Sequence, residues 1–244
     1  MKFRSFLLSA VVCALTALFS SGLAHAESTI SCPSGTYDML DWMTLDSDLR
    51  THNHISGTAN PLYTTLGSGK FYWTKGGNGS PWDIQLIDNN YIYLWITEYA
   101  WNSPNTYKKS TYNTNMPLVA RCAKGGFPGS TIKMSNTTYD IYTDCYHHTT
   151  HNLKKGINQV YGPYNLSFGG NVPGNLKTLV ISYRYNCDTN YGNCGDKEEF
   201  YVAQRYGLMQ WVHYTLINGK YAQQQKSVFN TLKSGSTTPK FVCF

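Results

Sequence analysis

The sequence predicts an all-β protein: an antiparallel, jelly-roll-like β-sandwich with long loops and about three disulfides. Three observations lead there. Apolar and polar residues alternate over most of the chain, turn residues recur about every ten positions, and no long segment carries a helical period. Strands without intervening helices favour an antiparallel sandwich or barrel over βαβ units.

Of the 244 residues, 14% are charged and 15% are aromatic, with twenty Tyr. An ordinary soluble domain carries about 25% charged residues. So few charges argue against a coiled coil, an acidic tail or a nucleic-acid arm, and the 41% hydrophobic content argues against disorder.

Residues 1–26 read as a secretory signal. Lys2 and Arg4 precede an apolar run from Phe6 to Phe19, and Ala24-His25-Ala26 offers a small-x-small cleavage site. The rest, 27–244, reads as a single sandwich domain, and no later segment has the 18 apolar residues of a membrane span. Loss of Lys2 and Arg4 leaves 18 basic and 14 acidic residues, a net charge of +4. That balance suits a polysaccharide or a cell-envelope glycan. The basic residues are too dispersed for nucleic acid. The expected compartment is secreted or periplasmic.

Removal of the leader takes Cys13 with it and leaves Cys32, Cys122, Cys145, Cys187, Cys194 and Cys243. An even count in an exported chain implies disulfides, and six Cys allow 15 pairings. Cys187 and Cys194 enclose a short polar loop and form the best local pair. Joining Cys32 to Cys243 would close a very large loop, worth about 4–5 kcal/mol on the chain-entropy model. Cys122 with Cys145 would follow by elimination.

Along the chain, residues 36–49 form the one candidate helix, with apolar Met39, Leu40, Trp42, Met43 and Leu45. Residues 70–74, 82–87 and 91–97 alternate as strands, the last two joined at Asp88-Asn89-Asn90. The polar stretch 102–116 reads as a long surface loop. Further strands are expected at 117–121, 138–144, 157–168, 177–186, 198–206 and 208–217. The last of these ends in the hairpin turn Asn218-Gly219, and 220–226 returns antiparallel.

Chemistry concentrates late in the chain. Arg184, Arg205, Gln210 and His213 are expected to project from neighbouring strands into one concave face, with Tyr206 beside them. A cation or amide there would neutralise a uronate carboxylate, and His or Tyr would move the proton in an elimination. Trp95, Trp101, Trp211, Tyr183 and Tyr214 would stack on sugar C–H faces. Hydrolysis needs two carboxylates; Asp83 and Glu98 are candidates across one hairpin, whereas Asp196-Lys197-Glu198-Glu199 lacks an acidic ladder of alternating spacing. His52-x-His54 and His147-His148-x-x-His151 sit in polar sequence that reads as surface loop, so no metal and no cofactor are expected.

The run Tyr206-Gly207-Leu208-Met209-Gln210-Trp211 resembles the C-terminal strand of jelly-roll alginate-type lyases, which carries a Tyr and a Gln near the catalytic groove. The resemblance covers about six residues. It lacks that family's Arg-x-Glu-x-Arg motif, and Gln210 to His213 is one residue too long for its Gln-x-His motif. The sequence therefore points to a secreted glycan-recognising protein, with cleavage of an acidic polysaccharide by a lyase reaction as one expectation. A non-catalytic lectin-like or envelope-associated protein is the alternative, and an interaction protein without a sugar site is the third.

Overall fold

The computed structural model describes residues 30–45, 52–54, 64–65, 70–74, 81–100, 107–127, 129–135, 137–142, 146–153 and 155–234. Residues 1–26, expected to be a leader, together with Cys145 and Cys243, lie outside them. In chain order the elements are β1 (Tyr37–Asp38), α1 (Leu40–Met43), β2 (His52–His54), β3 (Thr64–Thr65), β4 (Lys70–Thr74), β5 (Pro81–Ile87) and β6 (Tyr91–Ala100). Then come β7 (Tyr107–Ala120), β8 (Cys122–Ala123), β9 (Thr131–Met134), β10 (Thr137–Tyr142), β11 (His148–Leu153) and β12 (Lys155–Leu166). The last five are β13 (Leu176–Cys187), β14 (Cys194–Ala203), β15 (Gly207–Ile217), β16 (Lys220–Val228) and β17 (Leu232–Ser234).

The strands form a seven-stranded sheet, ordered β11-β10-β7-β6-β5-β4-β3, and a six-stranded sheet, ordered β16-β15-β14-β13-β12-β9. The pairings are antiparallel throughout. Two small pairs, β1 with β8 and β17 with β2, complete the described structure. No helix among the described residues is long and apolar enough to cross a membrane.

The main apolar cluster draws on both sheets. Ile92, Leu94, Met116 and Leu118 come from the seven-stranded sheet, and Leu179, Ile181, Phe200, Val202 and Leu208 from the six-stranded one. Met39, Leu40, Trp42, Met43 and Leu45 add a third contribution. Over 36–45 the expected helix 36–49 is thus corrected to a single turn, Leu40–Met43, while 46–49 lie outside the described residues. Its apolar residues fall on all sides rather than on one stripe, so the segment serves as a buried plug instead of an amphipathic helix. Just before it, Asp38 makes a bidentate ion pair with Arg121, whose side chain is 2% exposed.

Both expected hairpin turns are present. At the first, Asp88 Oδ1 accepts from the backbone N–H of Asn90 and of Tyr91, both at 2.7 Å. At the second, Asn218 and Gly219 adopt φ of 51° and 75°, and Ile217 pairs with Lys220. Positive φ at both central residues matches the right-handed twist of the flanking strands.

Three readings change. Most of the polar stretch 102–116 is strand, because β7 begins at Tyr107 and pairs with β6 on one side and β10 on the other. Its neighbours satisfy its backbone, so low hydrophobicity does not prevent pairing. His148 and His151 likewise lie on a strand rather than a loop, each against a Tyr of β10: His151 stacked on Tyr139 and His148 tilted against Tyr142. His52 and His54 belong to β2, paired with β17.

The third change concerns the disulfides. Cys187–Cys194 forms as expected. Cys32 bonds to Cys122, with Cα atoms 5.4 Å apart, which overturns both Cys32–Cys243 and Cys122–Cys145. The β1–β8 register explains it: Asp38 pairs with Cys122, and the Pro33–Thr36 turn brings Cys32 back alongside. Strand pairing a short distance away decided the partner. The two disulfides are compatible with an oxidising location, extracellular or periplasmic.

Candidate functional site

Antiparallel register fixes which side chains of the six-stranded sheet share a face. Tyr183 pairs with Glu198, and Glu198 pairs with His213. On the outer side of that row Asn158 pairs with Tyr183, and on the other Gln225 pairs with His213. Since side chains alternate along a strand, Phe200, two residues from Glu198, points the same way. Phe200 is 1% exposed in the common core. The row Asn158–Tyr183–Glu198–His213 therefore lies on the inner face, turned toward the seven-stranded sheet. Two contacts with β7 agree: Asn158 Nδ2 donates to the Pro117 carbonyl at 2.8 Å, and the Tyr183 hydroxyl approaches Met116 Sδ at 3.8 Å.

Glu198 is the centre of this row. Its carboxylate accepts from Trp211 Nε1 at 2.9 Å and from the Tyr185 hydroxyl at 3.3 Å. Tyr185 O–H also lies 3.5 Å from His213 Nε2, and that nitrogen lies 3.6 Å from Asp196 Oδ1. Asp196 accepts in addition from Thr215 Oγ1 at 3.2 Å and Asn186 Nδ2 at 3.1 Å. Burial pushes the Glu198 carboxyl above the ordinary carboxylate range, against the lowering influence of Trp211, His213 and Tyr185. Asp196 and His213 are the open edge of the group, their side chains 24% and 23% exposed.

Aromatic faces line the same area. Trp211 and His213 lie nearly parallel, 8° apart with centroids 6.2 Å apart, and Tyr183 stacks on Tyr185 at 4.8 Å. Opposite them, the register row Gln85–Leu94–Met116 crosses the seven-stranded sheet and meets Tyr183 at Met116. Gln85 is 0% exposed and neither end of its amide has a partner; Asn158 is 2% exposed and its Oδ1 has none. Buried polar groups of this kind call for water or ligand.

The outer face of the same sheet is organised differently. Glu199 accepts from Lys197 Nζ at 2.8 Å, Tyr201 O–H at 2.8 Å and Tyr214 O–H at 3.1 Å. Lys197 Nζ caps the Tyr214 ring at 4.0 Å. Burial, then the Glu199 charge, pushes Tyr214 up to about 12 and Tyr201 further still. Arg184 and Tyr161 both donate to Gln159 Oε1. Here most polar groups pair with one another, although the buried Arg184 Nε has no partner.

The expected constellation does not converge. His213 belongs to the inner face, whereas Arg184, paired with Lys197, and Gln210, paired with Tyr201, belong to the outer one. Arg205 sits in the β14–β15 turn with φ of 75°, and Tyr206 bridges to Leu45. Of the expected sugar-stacking residues, Trp211 and Tyr183 join the inner group and Tyr214 lies outside. Trp95 falls at a register shift of β6, and Trp101 lies outside the described residues. Asp83 pairs with Thr97 and Glu98 with Lys109, so those two carboxylates are not register partners. Asp196 and Glu198, by contrast, share a face. The alternating pair was present in Asp196-Lys197-Glu198-Glu199 and was obscured by Glu199, which points the other way.

The chain matches no protein-family model, and no curated protein or solved structure is significantly similar to it.

Proposed function

We propose that this protein is a secreted glycan-recognising protein, a two-sheet sandwich spanning 27–244 after a cleaved leader, and that sugar seats against the polar half of the inner face. The supporting observation is the side-by-side placement of aromatic faces and carboxylates at Trp211, His213, Tyr185, Asp196 and Glu198. Sugars present C–H faces to aromatic rings and hydroxyls to carboxylates and amides. The partly exposed Asp196–His213 edge gives entry. The outer face is a poorer candidate, since Lys197 already covers the Tyr214 ring.

A glycan array followed by affinity electrophoresis in polysaccharide gels tests this reading. The wild type is expected to bind at least one glycan class, and His213→Ala to weaken that binding about tenfold, or about 1.4 kcal/mol. A blank array together with a blank polysaccharide panel would leave no glycan reading and would favour a protein-interaction role for the same scaffold.

A further inference from the structure

Phe127 is the most exposed large apolar side chain among the described residues, at 89%, yet it is firmly held. Its turn follows β8 and is pressed onto β12. Gly126 N–H donates to the Gly162 carbonyl at 2.6 Å, and Val160 N–H donates to the Ser130 carbonyl at 3.0 Å. Gly125 and Gly129 approach so closely that a Cβ there would run into the carbonyl oxygens of Gly162 and Val160. The Phe127 ring stacks on Tyr161, with centroids 5.9 Å apart and planes 29° apart. Tyr161 pairs with Val180 and Tyr164 with Thr178, two residues that alternate onto the outer face of the six-stranded sheet. Both Tyr rings therefore stand on that face, and Tyr164 is exposed. An aromatic platform fixed in solvent marks a binding surface rather than a folding contact.

The charge beside this platform is positive. The Tyr161 hydroxyl and the Arg184 guanidinium both donate to Gln159 Oε1, so one amide joins the aromatic rings to the cation. That is the one hydrogen bond of the half-buried Arg184 side chain among the described residues, and no carboxylate pairs with it. Lys133, Arg184 and Lys197 share a register row, and Lys226 faces the same way from β16. Glu199 is the one carboxylate at the outward positions of these six strands, and Lys197, Tyr201 and Tyr214 already hold it. Arg184 and Lys197 are direct cross-strand partners, a placement in which like charges repel and which a bound anion relieves. Lys197 closes the Tyr214 end of the face to a sugar ring. At the other end, among the described residues, no cation covers Phe127, Tyr161 or Tyr164.

We propose that the outer face carries a second glycan site, one for an acidic polysaccharide built of uronates. The chain lies across Phe127 and Tyr164, which meet the C–H faces of its sugars. One of its carboxylates accepts from the Arg184 N–H groups that Gln159 leaves unused. Lys133, two strands away on the same row, receives another. Flat rings beside spaced single charges suit a polyuronate. A nucleic acid calls for denser cations, and a bilayer for a broader apolar surface. The site extends the glycan reading to a charged class of partner and lies on the opposite face from the one described above, so either can fail without the other.

Calorimetry and affinity electrophoresis with the mature chain test this. The probes are polygalacturonate, alginate, methyl-esterified polygalacturonate, neutral galactan, dextran sulfate, and vesicles of phosphatidylcholine with phosphatidylglycerol. Binding is expected to at least one of the two polyuronates, weakened by added salt. For polygalacturonate it should be lost on esterification, which removes the charge and keeps the sugar rings. Phe127→Ala should weaken binding about fivefold, and Arg184→Gln about tenfold or more. No binding to either polyuronate, equal binding to the methyl ester, or binding indifferent to Phe127→Ala overturns the proposal. Binding of dextran sulfate or vesicles in place of polyuronate also overturns it, in favour of a general polyanion or a bilayer surface. Polyuronate binding that is lost in His213→Ala and kept in Phe127→Ala assigns the acid to the inner face and overturns the outer site, while the glycan reading stands. Absence of binding to every glycan removes both. Phe127→Ala deletes an exposed ring, so its result decides the matter even if Arg184→Gln fails to fold.

Discussion

The inner face of the six-stranded sheet is two surfaces on one set of strands. Toward one end, Leu179, Ile181, Phe200, Val202 and Leu208 pack into the common core, each essentially unexposed. One or two residues further along the same strands stand Tyr185, Glu198, Asp196, His213 and Thr215, linked by hydrogen bonds and an ion pair, with Tyr183 stacked on Tyr185. Backbone pairing is continuous across the boundary, so the difference lies in the side chains alone. The apolar half holds the sheets together by burial. The polar half adds little of that and keeps the buried Asn158 Oδ1 without a partner. Natural sheets accept such local cost chiefly where function requires it.

Substitutions in the two halves should therefore differ in kind. The largest effect is expected in the apolar half. Phe200→Ala removes a fully buried ring and should cost about 3–5 kcal/mol, read from the shift of the urea unfolding midpoint at unchanged slope. A cost near that of an exposed site would mean that the two sheets do not share this core.

In the polar half the expected effect is a change in pH dependence. Folded Glu198 holds its proton more tightly than in the unfolded chain, because burial disfavours its charged form. Its contribution is therefore full below the unfolded carboxylate range and falls as pH rises through the raised value. Glu198→Gln should remove that fall, giving a flatter profile of melting temperature against pH between 4 and 8 than the wild type. Parallel profiles would show that Glu198 is not held in its neutral form.

The smallest effect belongs to neither half. Gly219 has φ of 75° with open space where a Cβ would stand, so Gly219→Ala meets backbone strain without a clash. About 1 kcal/mol is expected, measured by thermal or urea unfolding. It serves as the reference for a purely local perturbation.

Much of the sheet architecture was legible because strand patterning is local. The alternation at 177–186 and 208–217 and the turns at Asp88 and Asn218-Gly219 each declare themselves within a few residues. The polar part of β7 did not, since its pairing depends on β6 and β10 rather than on its own hydrophobicity. The plug at Met39–Leu45 was mistaken for a longer helix because spacing along the chain does not reveal a segment buried on every side. The site was legible residue by residue and not as a group. His213 and Trp211 drew attention from sequence, but Gln210 and Arg184 were grouped with His213 although they lie across the sheet from it.

By itself, then, the sequence determined an antiparallel β chain with its late hairpins in register and the Cys187–Cys194 link, because each follows from interactions between near neighbours. Tertiary structure alone decided that Cys32 meets Cys122, that Asp196 and Glu198 stand together beside His213, and that Arg184 and Gln210 face away. These depend on which strands lie adjacent and on which face is turned inward, and a contact between residues far apart in the chain leaves no trace in the spacing of either one.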